Sequence, residues 1–231
     1  MLDAIGAYDL VAPGYGELSA RRRAYLDAVD GEILRRVPGG AESLIDVGAG
    51  DGRRALGIAA RAGISQVVLA EPSAGMRGLI PAGSEVWTQR VEELAVERRF
   101  DVVLCLWNVL GHVPAGSRVA ALRNLGRVSS GLIFLDVVNR YNVAECGVAV
   151  VLRRWLAGND GDVLVKWRTG TGEVETLGHV FAASEMEEMF REAGLRVVER
   201  IVLNYGTGRR ERWSLAGNFL YVVRAMGGGI A

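Results

Sequence analysis

Lysine is almost absent from this chain: of its 27 basic residues, only Lys166 is a lysine. Mechanisms that use a lysine base or a Schiff base therefore have a single candidate, and the alternating polar and apolar residues around Lys166 indicate a structural role instead. Cysteine is nearly as scarce, and Cys105 and Cys146 have neither the spacing of a metal site nor that of a disulfide framework. We therefore expect no metal, and we expect a reduced, cytoplasmic setting.

An excess of either charge is also absent, because the 27 basic residues are matched by 27 acidic ones. A neutral chain creates no overall field for nucleic acid or for an anionic membrane surface. No apolar run approaches the length of a membrane span, and the first residues lack the basic and apolar regions of a signal peptide. The composition therefore predicts neither a nucleic-acid partner nor a membrane partner. Half of the residues are hydrophobic, which is enough for one large core.

What the chain does have is a glycine-rich stretch, SLIDVGAGDGRRA, at Ser43–Ala55. Its apolar beginning, interrupted only by Asp46, predicts a strand that is buried on both faces. Gly48, Gly50 and Gly52 then alternate through a turn, and the following residues favour a helix. Glycine permits positive φ and a close approach of a ligand to the backbone, while a new helix presents unpaired N–H groups. Strand, turn and helix together predict a ligand site.

Glu71 supports this interpretation, because it ends the next apolar run, Val67–Ala70, 23 residues after Gly48. An acid at the tip of the second strand can accept hydrogen bonds from both hydroxyls of a ribose. A dinucleotide fingerprint would need a glycine where the chain has Arg53, and no phosphate-binding loop of the GxxxxGK type is present. The acids before and inside the turn suit a cationic ligand better than a pyrophosphate.

In these features the chain resembles the class I S-adenosylmethionine-dependent methyltransferases. Asp46–Gly52 is similar to their first motif and Glu71 to their ribose-binding acid, and the resemblance covers roughly residues 40 to 140. The stretch CLWNVLGHVP, Cys105–Pro114, is similar to that of small-molecule enzymes of the glycine N-methyltransferase type. The resemblance implies S-adenosylmethionine as the cofactor and an α/β fold. That fold is a doubly wound, mostly parallel seven-stranded sheet with an antiparallel last strand, helices on both faces and a small inserted cap.

We expect one methyltransferase domain over residues 1–231. Residues 1–40 would form a lid, irregular as far as residue 18, followed by a helix over Ser19–Val37 with Ser19 as its cap. Residues 41–138 would form the cofactor-binding core, and residues 139–182 an acceptor-side insertion that contains a hairpin. Residues 183–226 would supply a closing helix, capped by Ser184, and the last two strands.

The resemblance also assigns the cofactor contacts. Met76 would pack on the adenine, although an ordinary core position explains it equally well. Val91 would offer its backbone to the adenine ring, while Arg90 stands where the family usually has an acid. Tyr15 would belong to a lid over the cofactor, or would pack locally. The expected cofactor contacts are Asp46, Gly48, Ala49, Gly50, Glu71, Pro72, Met76, Arg90, Val91, Glu92, Leu106, Trp107 and Tyr15.

The acceptor should bind beyond the carboxyl ends of the fourth and fifth strands, where open α/β sheets bind their ligands. Asn108 and His112 follow the fourth strand, while Arg140 and Tyr141 follow the fifth, so these four residues should converge. We expect catalysis from His112, His179 and Asn108, with a structural hydrogen bond as the alternative role for each histidine. Substrate binding would fall to Asn108, Arg140 and Tyr141.

The sequence thus predicts an enzyme that transfers a methyl group from S-adenosylmethionine to a small-molecule amine, hydroxyl or carboxylate. Arg140 would hold a carboxylate or phosphate of that acceptor, unless it forms a surface salt bridge with Glu145 or another acid. A nucleoside-binding protein of the same fold without catalysis is one alternative, favoured by Arg90. An NAD-dependent oxidoreductase is another, disfavoured by the missing third glycine and by the absence of a Tyr-x-x-x-Lys pair. Either a monomer or a homodimer fits this sequence.

Overall fold

The computed structural model describes residues 2–94, 98–156, 158, 160–169 and 172–226, and ten strands and nine α-helices lie within these ranges. The strands are β1 Ser43–Val47, β2 Gln66–Ala70, β3 Glu85–Trp87, β4 Phe100–Cys105, β5 Ser129–Val137, β6 Asp162–Thr169, β7 Gly172–His179, β8 Leu195–Leu203, β9 Arg210–Glu211 and β10 Asn218–Ala225. The helices are α1 Ala4–Val11, α2 Tyr15–Ala20, α3 Arg23–Leu34, α4 Arg53–Ala62, α5 Ala74–Arg77, α6 Arg118–Arg127, α7 Val143–Cys146, α8 Val148–Leu156 and α9 Ala183–Glu192.

Eight of these strands form one mixed sheet in the order β3-β2-β1-β4-β5-β10-β8-β9. β1 is parallel to β2 and β4, and β4 is parallel to β5, so the carboxyl ends of all four strands lie along one edge. β10 runs antiparallel between β5 and β8. β6 and β7 form a separate antiparallel hairpin. The α/β class expected from the sequence is confirmed.

The central strands are apolar because helices cover both of their faces. Successive residues point to opposite faces, so Val103 of β4 packs on one side and Leu104 on the other. The first side is covered by α6 and α9, which contribute Leu122 and Phe190 to the core. The second side is covered by α3 and α4, which contribute Ile33 among others. None of the helices in the described ranges has the length and hydropathy of a membrane span.

The expected count of seven strands is wrong, since Arg210 and Glu211 form an additional edge strand, β9, antiparallel to β8. Two residues are too few to carry a hydrophobic pattern, which is why the sequence does not predict β9. Two strands of the sheet, β9 and β10, therefore run against the rest, instead of the last strand alone. The hairpin lies where it was expected, although β7 begins at Gly172. Gly170, expected in its turn, lies outside the described residues.

The N-terminal residues after Leu2 are helical, not irregular. Asp3 caps α1 by accepting a hydrogen bond from Gly6 N–H at 2.9 Å. A short 3₁₀ turn that contains Pro13 follows, and proline is tolerated there because an N–H in the first turn of a helix lacks a partner anyway. The expected cap Ser19 lies inside α2, and the next helix begins only at Arg23.

The closing helix, α9, begins at Ala183, so the expected cap Ser184 lies inside the helix and Ala182 occupies the cap position. Its N-terminus is held instead by Glu185, whose Oε2 accepts a hydrogen bond from Ala182 N–H at 3.2 Å. Glu185 therefore satisfies one backbone donor of the helix start and faces back along the chain.

Two glycines near the start of α4 allow the fold to be tested by opposite effects. Gly52 has φ of 72°, and a Cβ there would lie 2.5 Å from Leu69 Cδ1, so Gly52→Ala should lower the free energy of unfolding by about 1–2 kcal/mol. Gly57 lies inside α4 with open space around its Cα, so Gly57→Ala should raise it by about 0.5–1 kcal/mol. Urea unfolding followed by circular dichroism measures both changes. Shifts of the same sign would contradict this account of the turn.

Candidate active site

The glycine turn between β1 and α4 has a backbone that other residues rarely adopt. Gly48, Gly50 and Gly52 have φ of 78°, 61° and 72°, in the left-handed region that costs a side-chain-bearing residue free energy. The turn is tied to the end of β2, because Gly48 N–H and Ala49 N–H donate to the Ala70 carbonyl oxygen at 2.8 and 3.1 Å. The sequence therefore uses glycine here to bring the backbone back against the neighbouring strand.

Glu71, at the tip of β2, connects this turn to the start of α5. Its Oε2 accepts a hydrogen bond from Gly50 N–H, and its Oε1 accepts one from Ser73 N–H, both at 2.8 Å. Burial raises the pKa of Glu71, and these two backbone hydrogen bonds oppose that effect. An ionised carboxylate has about four lone-pair sites, so each oxygen keeps capacity for a further donor such as a ribose hydroxyl.

A cavity of about 770 Å³, counted with its open mouth, lies against the glycine turn and Glu71. Eleven of the thirteen expected cofactor contacts line it, and the two that do not are Asp46 and Ala49. The cavity is lined by the expected residues Tyr15, Gly48, Gly50, Glu71, Pro72, Met76, Arg90, Val91, Glu92, Leu106 and Trp107.

Asp46 is buried in β1, and its Oδ1 has no hydrogen-bond partner among the described residues. Burial raises the pKa of Asp46 to about 7, although the nearby Arg54 opposes this. A buried carboxylate oxygen without a donor is rare in folded proteins. Close to a cavity that should hold a cationic cofactor, it favours a positively charged or hydrogen-bond-donating ligand group.

The first helix, α1, forms a wall of this cavity, where the sequence predicts an irregular lid instead of a helix. Ala4, Ile5 and Tyr8 line the cavity. Asp9 fastens α1 to α5, since its Oδ1 accepts hydrogen bonds from Ser73 Oγ at 2.6 Å and from the α5 backbone at 2.8 Å. The missed signal was the helix cap at position 3, followed by eight residues with no breaker other than a glycine.

The loop after β3 forms the opposite wall. Arg90 pairs with Asp3 at 3.1 Å, between its Nη2 and the aspartate Oδ2, so this departure from the family pattern contacts the N-terminal helix cap. Asn124 of α6 holds the loop in place by donating from Nδ2 to the carbonyl oxygens of Val91 and Glu92 at 3.1 and 3.0 Å. Val91 is buried and Met76 is almost fully buried, so both sit firmly in the cavity wall.

After β4 the chain makes a strained corner. Trp107 and Asn108 have φ of 58° and 63°, and they are the two non-glycine residues with positive φ in the described chain. Asp136 of β5 supports the corner: its Oδ2 accepts from Trp107 N–H at 3.2 Å, and its backbone oxygen accepts from Asn108 N–H at 3.0 Å. Tyr25 Oη donates to Asp136 Oδ1 at 2.9 Å, and burial raises the pKa of this carboxyl to about 6.

Both polar atoms of the Asn108 side chain are bonded to backbone. Its Nδ2 donates to the His179 carbonyl oxygen at 3.1 Å, and its Oδ1 accepts from Val138 N–H at 3.0 Å. Asn108 is buried in the wall of a second cavity. In this geometry it connects β4, β5 and the hairpin, instead of presenting a free amide.

The second cavity lies beside the first and shares four wall residues with it. These shared residues, which we call the partition, are Tyr8, Tyr15, Trp107 and His112. The rings of Tyr8 and His112 meet edge to face with centroids 5.5 Å apart, and Tyr15 and Trp107 lie 5.6 Å apart. Two cavities with one aromatic partition provide adjacent places for a donor and an acceptor.

His112 is the titratable group of the partition. Its Nε2 faces Tyr8 Oη at 3.4 Å, and its buried Nδ1 has no partner at hydrogen-bond geometry in the described structure. Burial lowers the pKa of His112 below its ordinary 6.5, and the backbone of Leu177 opposes this only in part. The imidazole is therefore neutral at pH 7 and can accept a proton.

The sequence profile of a family described as a methyltransferase domain matches residues 18–200 of the 231. The chain belongs to this methyltransferase family. Comparison with curated proteins finds no match.

Solved structures share the fold of this methyltransferase. An S-adenosylmethionine-dependent methyltransferase from Clostridium acetobutylicum ATCC 824 has a TM-score of 0.65 at 11% identity, with 93% of this chain and 99% of that chain covered. The CcbJ methyltransferase from Streptomyces caelestis has a TM-score of 0.64 at 18% identity, covering 87% and 90%. A third is an amino pentose methyltransferase from Micromonospora echinaspora, solved with bound S-adenosylmethionine. Its TM-score is 0.60 at 19% identity, covering 91% and 97%.

Family membership makes the protein an enzyme, and family and fold together support S-adenosylmethionine as its cofactor. The oxidoreductase and non-catalytic alternatives are therefore set aside. The comparisons leave open which atom of the acceptor receives the methyl group.

Three of the expected acceptor-side residues do not reach either cavity of the methyltransferase. Tyr141 lines neither, and Arg140 and His179 are buried together beneath the hairpin. His179 Nδ1 lies 2.6 Å from Asp162 Oδ1, and its Nε2 lies 2.8 Å from Glu185 Oε1. Both ring nitrogens of His179 therefore lie against carboxylate oxygens, and neither faces one of the two cavities.

Arg140 belongs to the same cluster. Its Nη2 donates to Glu185 Oε2 and to the Asp160 carbonyl oxygen, both at 2.5 Å. Glu145, the alternative partner, pairs with Arg22 instead, at 3.0 Å. Sequence spacing placed Arg140 correctly after β5, but the side chain is directed to α9 and the hairpin, away from the acceptor cavity.

The cluster fastens the β6–β7 hairpin to the core of the methyltransferase. Asp162 begins β6 and His179 ends β7, while Glu185 belongs to α9 and Arg140 follows β5. Arg118 of α6 adds a contact with Asp162 at 3.6 Å. Both ends of the hairpin are thus held by charges on three other elements.

The role of this cluster can be tested with the substitution Glu185→Gln. Removing the charge replaces the ion pairs that Glu185 makes with His179 Nε2 and Arg140 Nη2 by weaker neutral contacts, so the free energy of unfolding should fall by about 1.5–3 kcal/mol. Burial works to raise the pKa of Glu185, but the hydrogen bond from His179 and the charges of His179 and Arg140 hold it below its ordinary 4.5. The stabilisation is therefore present above pH 4.5 and is lost as the pH falls further.

Chemical unfolding at pH 7 and pH 4 measures both effects, because the variant should also lose part of the acid sensitivity of the wild type. Glu188→Gln on the exposed face of the same helix is the control. Equal stability of the two variants at pH 7 would mean that the cluster does not stabilise the attachment of the β6–β7 hairpin.

Proposed function

We propose that this methyltransferase moves a methyl group from S-adenosylmethionine, bound in the first cavity, to a small-molecule nucleophile bound in the second. The observation that carries this proposal is the shared partition, because it places the two cavities on either side of one layer of side chains. Methyl transfer is a displacement in line, so adjacency and orientation supply much of the rate.

The first cavity fits the cofactor. Glu71 would accept from the ribose hydroxyls, Val91 and Met76 would enclose the adenine, and Gly48 and Gly50 would let the backbone approach the ligand. When bound, S-adenosylmethionine supplies a methyl group on a positively charged sulfonium, which leaves as the neutral thioether S-adenosylhomocysteine. The same residues should therefore hold the product.

His112 is our candidate for the general base. For a hydroxyl acceptor, the oxygen forms a bond to the methyl carbon as the sulfur–carbon bond breaks, and the hydroxyl proton passes to His112 Nε2 directly or through Tyr8 Oη. A neutral amine needs no base before attack and loses its proton afterwards. The neutral, half-buried state of His112 serves a hydroxyl acceptor in particular.

We further propose that α1 and α2 act as the lid of the domain and residues 139–182 as its acceptor-side cap. The contact of α1 with α5, and that of Leu2, just before α1, with β7, support this division. The glycine N-methyltransferase type was suggested by the stretch Cys105–Pro114, and the expected carboxylate contact of Arg140 is not supported, because Arg140 is buried away from the second cavity. We do not extend that subtype to this chain. The homodimer and the cytoplasmic setting stay predictions.

Glu71→Ala tests the cofactor site. The variant loses the charged acceptor for the ribose hydroxyls and the bridge to Gly50, so S-adenosylhomocysteine should bind about 1–3 kcal/mol more weakly than to the wild type. Isothermal titration calorimetry measures this directly. Glu93→Ala, an exposed acid on the loop after β3, is the matched control and should bind like the wild type. Wild-type protein that binds NAD but not S-adenosylhomocysteine would refute the proposed cofactor.

His112→Gln tests the base. Affinity for S-adenosylhomocysteine should change little, while transfer of labelled methyl from S-adenosylmethionine to a hydroxyl acceptor from a metabolite pool should slow by about 10²–10⁴-fold. The wild-type rate should stay level as the pH falls from 8 to 6.5 and decline only below, because the lowered pKa keeps His112 neutral over that interval. A variant as fast as the wild type would assign the proton to another group.

A further inference from the structure

The charged side chains on the wall of the acceptor cavity all carry positive charge. Arg21, Arg22 and Lys166 line it, and no aspartate or glutamate of the described chain does. The cofactor cavity is different, because its wall holds Glu71 and Glu92 together with Arg90. Of these two adjoining cavities, the acceptor cavity is thus the one whose charged wall residues all have the same sign.

The three cations differ in how far they are already neutralised. Arg22 pairs with Glu145 at 3.0 Å and stacks over the Tyr205 ring at 4.1 Å, and Lys166 pairs with Glu173 and Glu175. Arg21, on the exposed surface after α2, has no ion pair with any residue in the described ranges. It is therefore the cation best able to bind an anionic group at the mouth of this cavity.

The body of the cavity is aromatic and aliphatic. Tyr8, Trp107, Trp167 and Tyr205 supply the rings, and valines of β6 and of the segment after β5 supply most of the remaining surface. The Tyr8 and Trp167 rings lie 5.3 Å apart, and Trp107 Nε1 donates to Tyr205 Oη at 3.3 Å, so the aromatic walls hold one another in place. Flat rings in such walls stack best with another flat ring.

We propose that the acceptor is an aromatic compound that carries an anionic group, a carboxylate, sulfonate or phosphate. Its ring lies between the aromatic walls, its anion binds Arg21 at the mouth, and its nucleophile faces Tyr8 and His112 at the partition. This inference rests on the function proposed above and names the acceptor class. It disfavours a cationic acceptor such as a protonated amine, since no acid of the described wall could pair with it and Arg21 would oppose it.

The test compares two probes of equal shape and opposite charge, 2-naphthoate and 2-naphthylmethylammonium, by calorimetry at pH 7.5. In the presence of saturating S-adenosylhomocysteine, the wild type should bind naphthoate at least about tenfold more tightly than the ammonium probe. Arg21→Gln should reduce this preference to about threefold or less. Arg23→Gln, also exposed but lining a different cavity, should keep the full preference. Raising the salt concentration should weaken the binding of naphthoate to the wild type. It should affect naphthoate binding to the Arg21→Gln variant less.

Three results would overturn the proposal: tighter or equal binding of the ammonium probe, no binding of naphthoate below about 10 mM, or a preference that Arg21→Gln leaves intact. The titrations are repeated without S-adenosylhomocysteine. A protein that binds no S-adenosylhomocysteine but still prefers naphthoate would refute the proposed function and retain the charge selectivity of this cavity, so the two failures are distinguishable.

Discussion

The buried carboxylate of Asp136 holds the corner on which the rest of the site depends. Two consecutive residues with side chains, Trp107 and Asn108, are in the left-handed region, a conformation that costs of order 1–3 kcal/mol per residue and persists only where the surroundings impose it. Asp136 imposes it by accepting from the Trp107 N–H with its side chain and from the Asn108 N–H with its backbone. The strain is stored at the carboxyl end of β4, where the proposed methyl transfer takes place.

That corner determines where several other groups lie. It directs the Trp107 indole into the partition between the cavities, and it turns the Asn108 side chain toward the backbone of β5 and of the hairpin. Tyr25 of α3 bonds the other oxygen of Asp136, so packing on the far face of the sheet also supports the corner. Loss of one carboxylate would therefore disturb the partition between the two cavities and the contact of Asn108 with the hairpin together.

Charge is used in two distinct ways around the site. Beneath the hairpin, His179, Arg140 and Glu185 satisfy one another, and such buried groups hold elements in place because breaking one contact leaves an unpaired charge. Along the cavities, Glu71 and Arg21 line the walls where the proposed ligands would bind. A neutral chain as a whole is thus compatible with strong local fields, and the two kinds of charge cannot be distinguished by counting residues.

Local sequence determined the cofactor side of the site, because the backbone conformation and burial of single elements create it. The alternating glycines, the acid at the end of β2 and the apolar central strands each follow from backbone sterics or burial on one element, so the turn, Glu71 and most of the cofactor wall were predictable from residue order. Tertiary structure alone decided the rest. Arg140, His179 and His112 all lie at or near strand ends. Of these three, His112 lines the two cavities, while Arg140 and His179 do not. The difference arises because Arg140 and His179 turn toward carboxylates that are distant in the sequence or on another element. Helix α1 closes over the site through Asp9, 64 residues from its partner Ser73, a contact that no local pattern encodes.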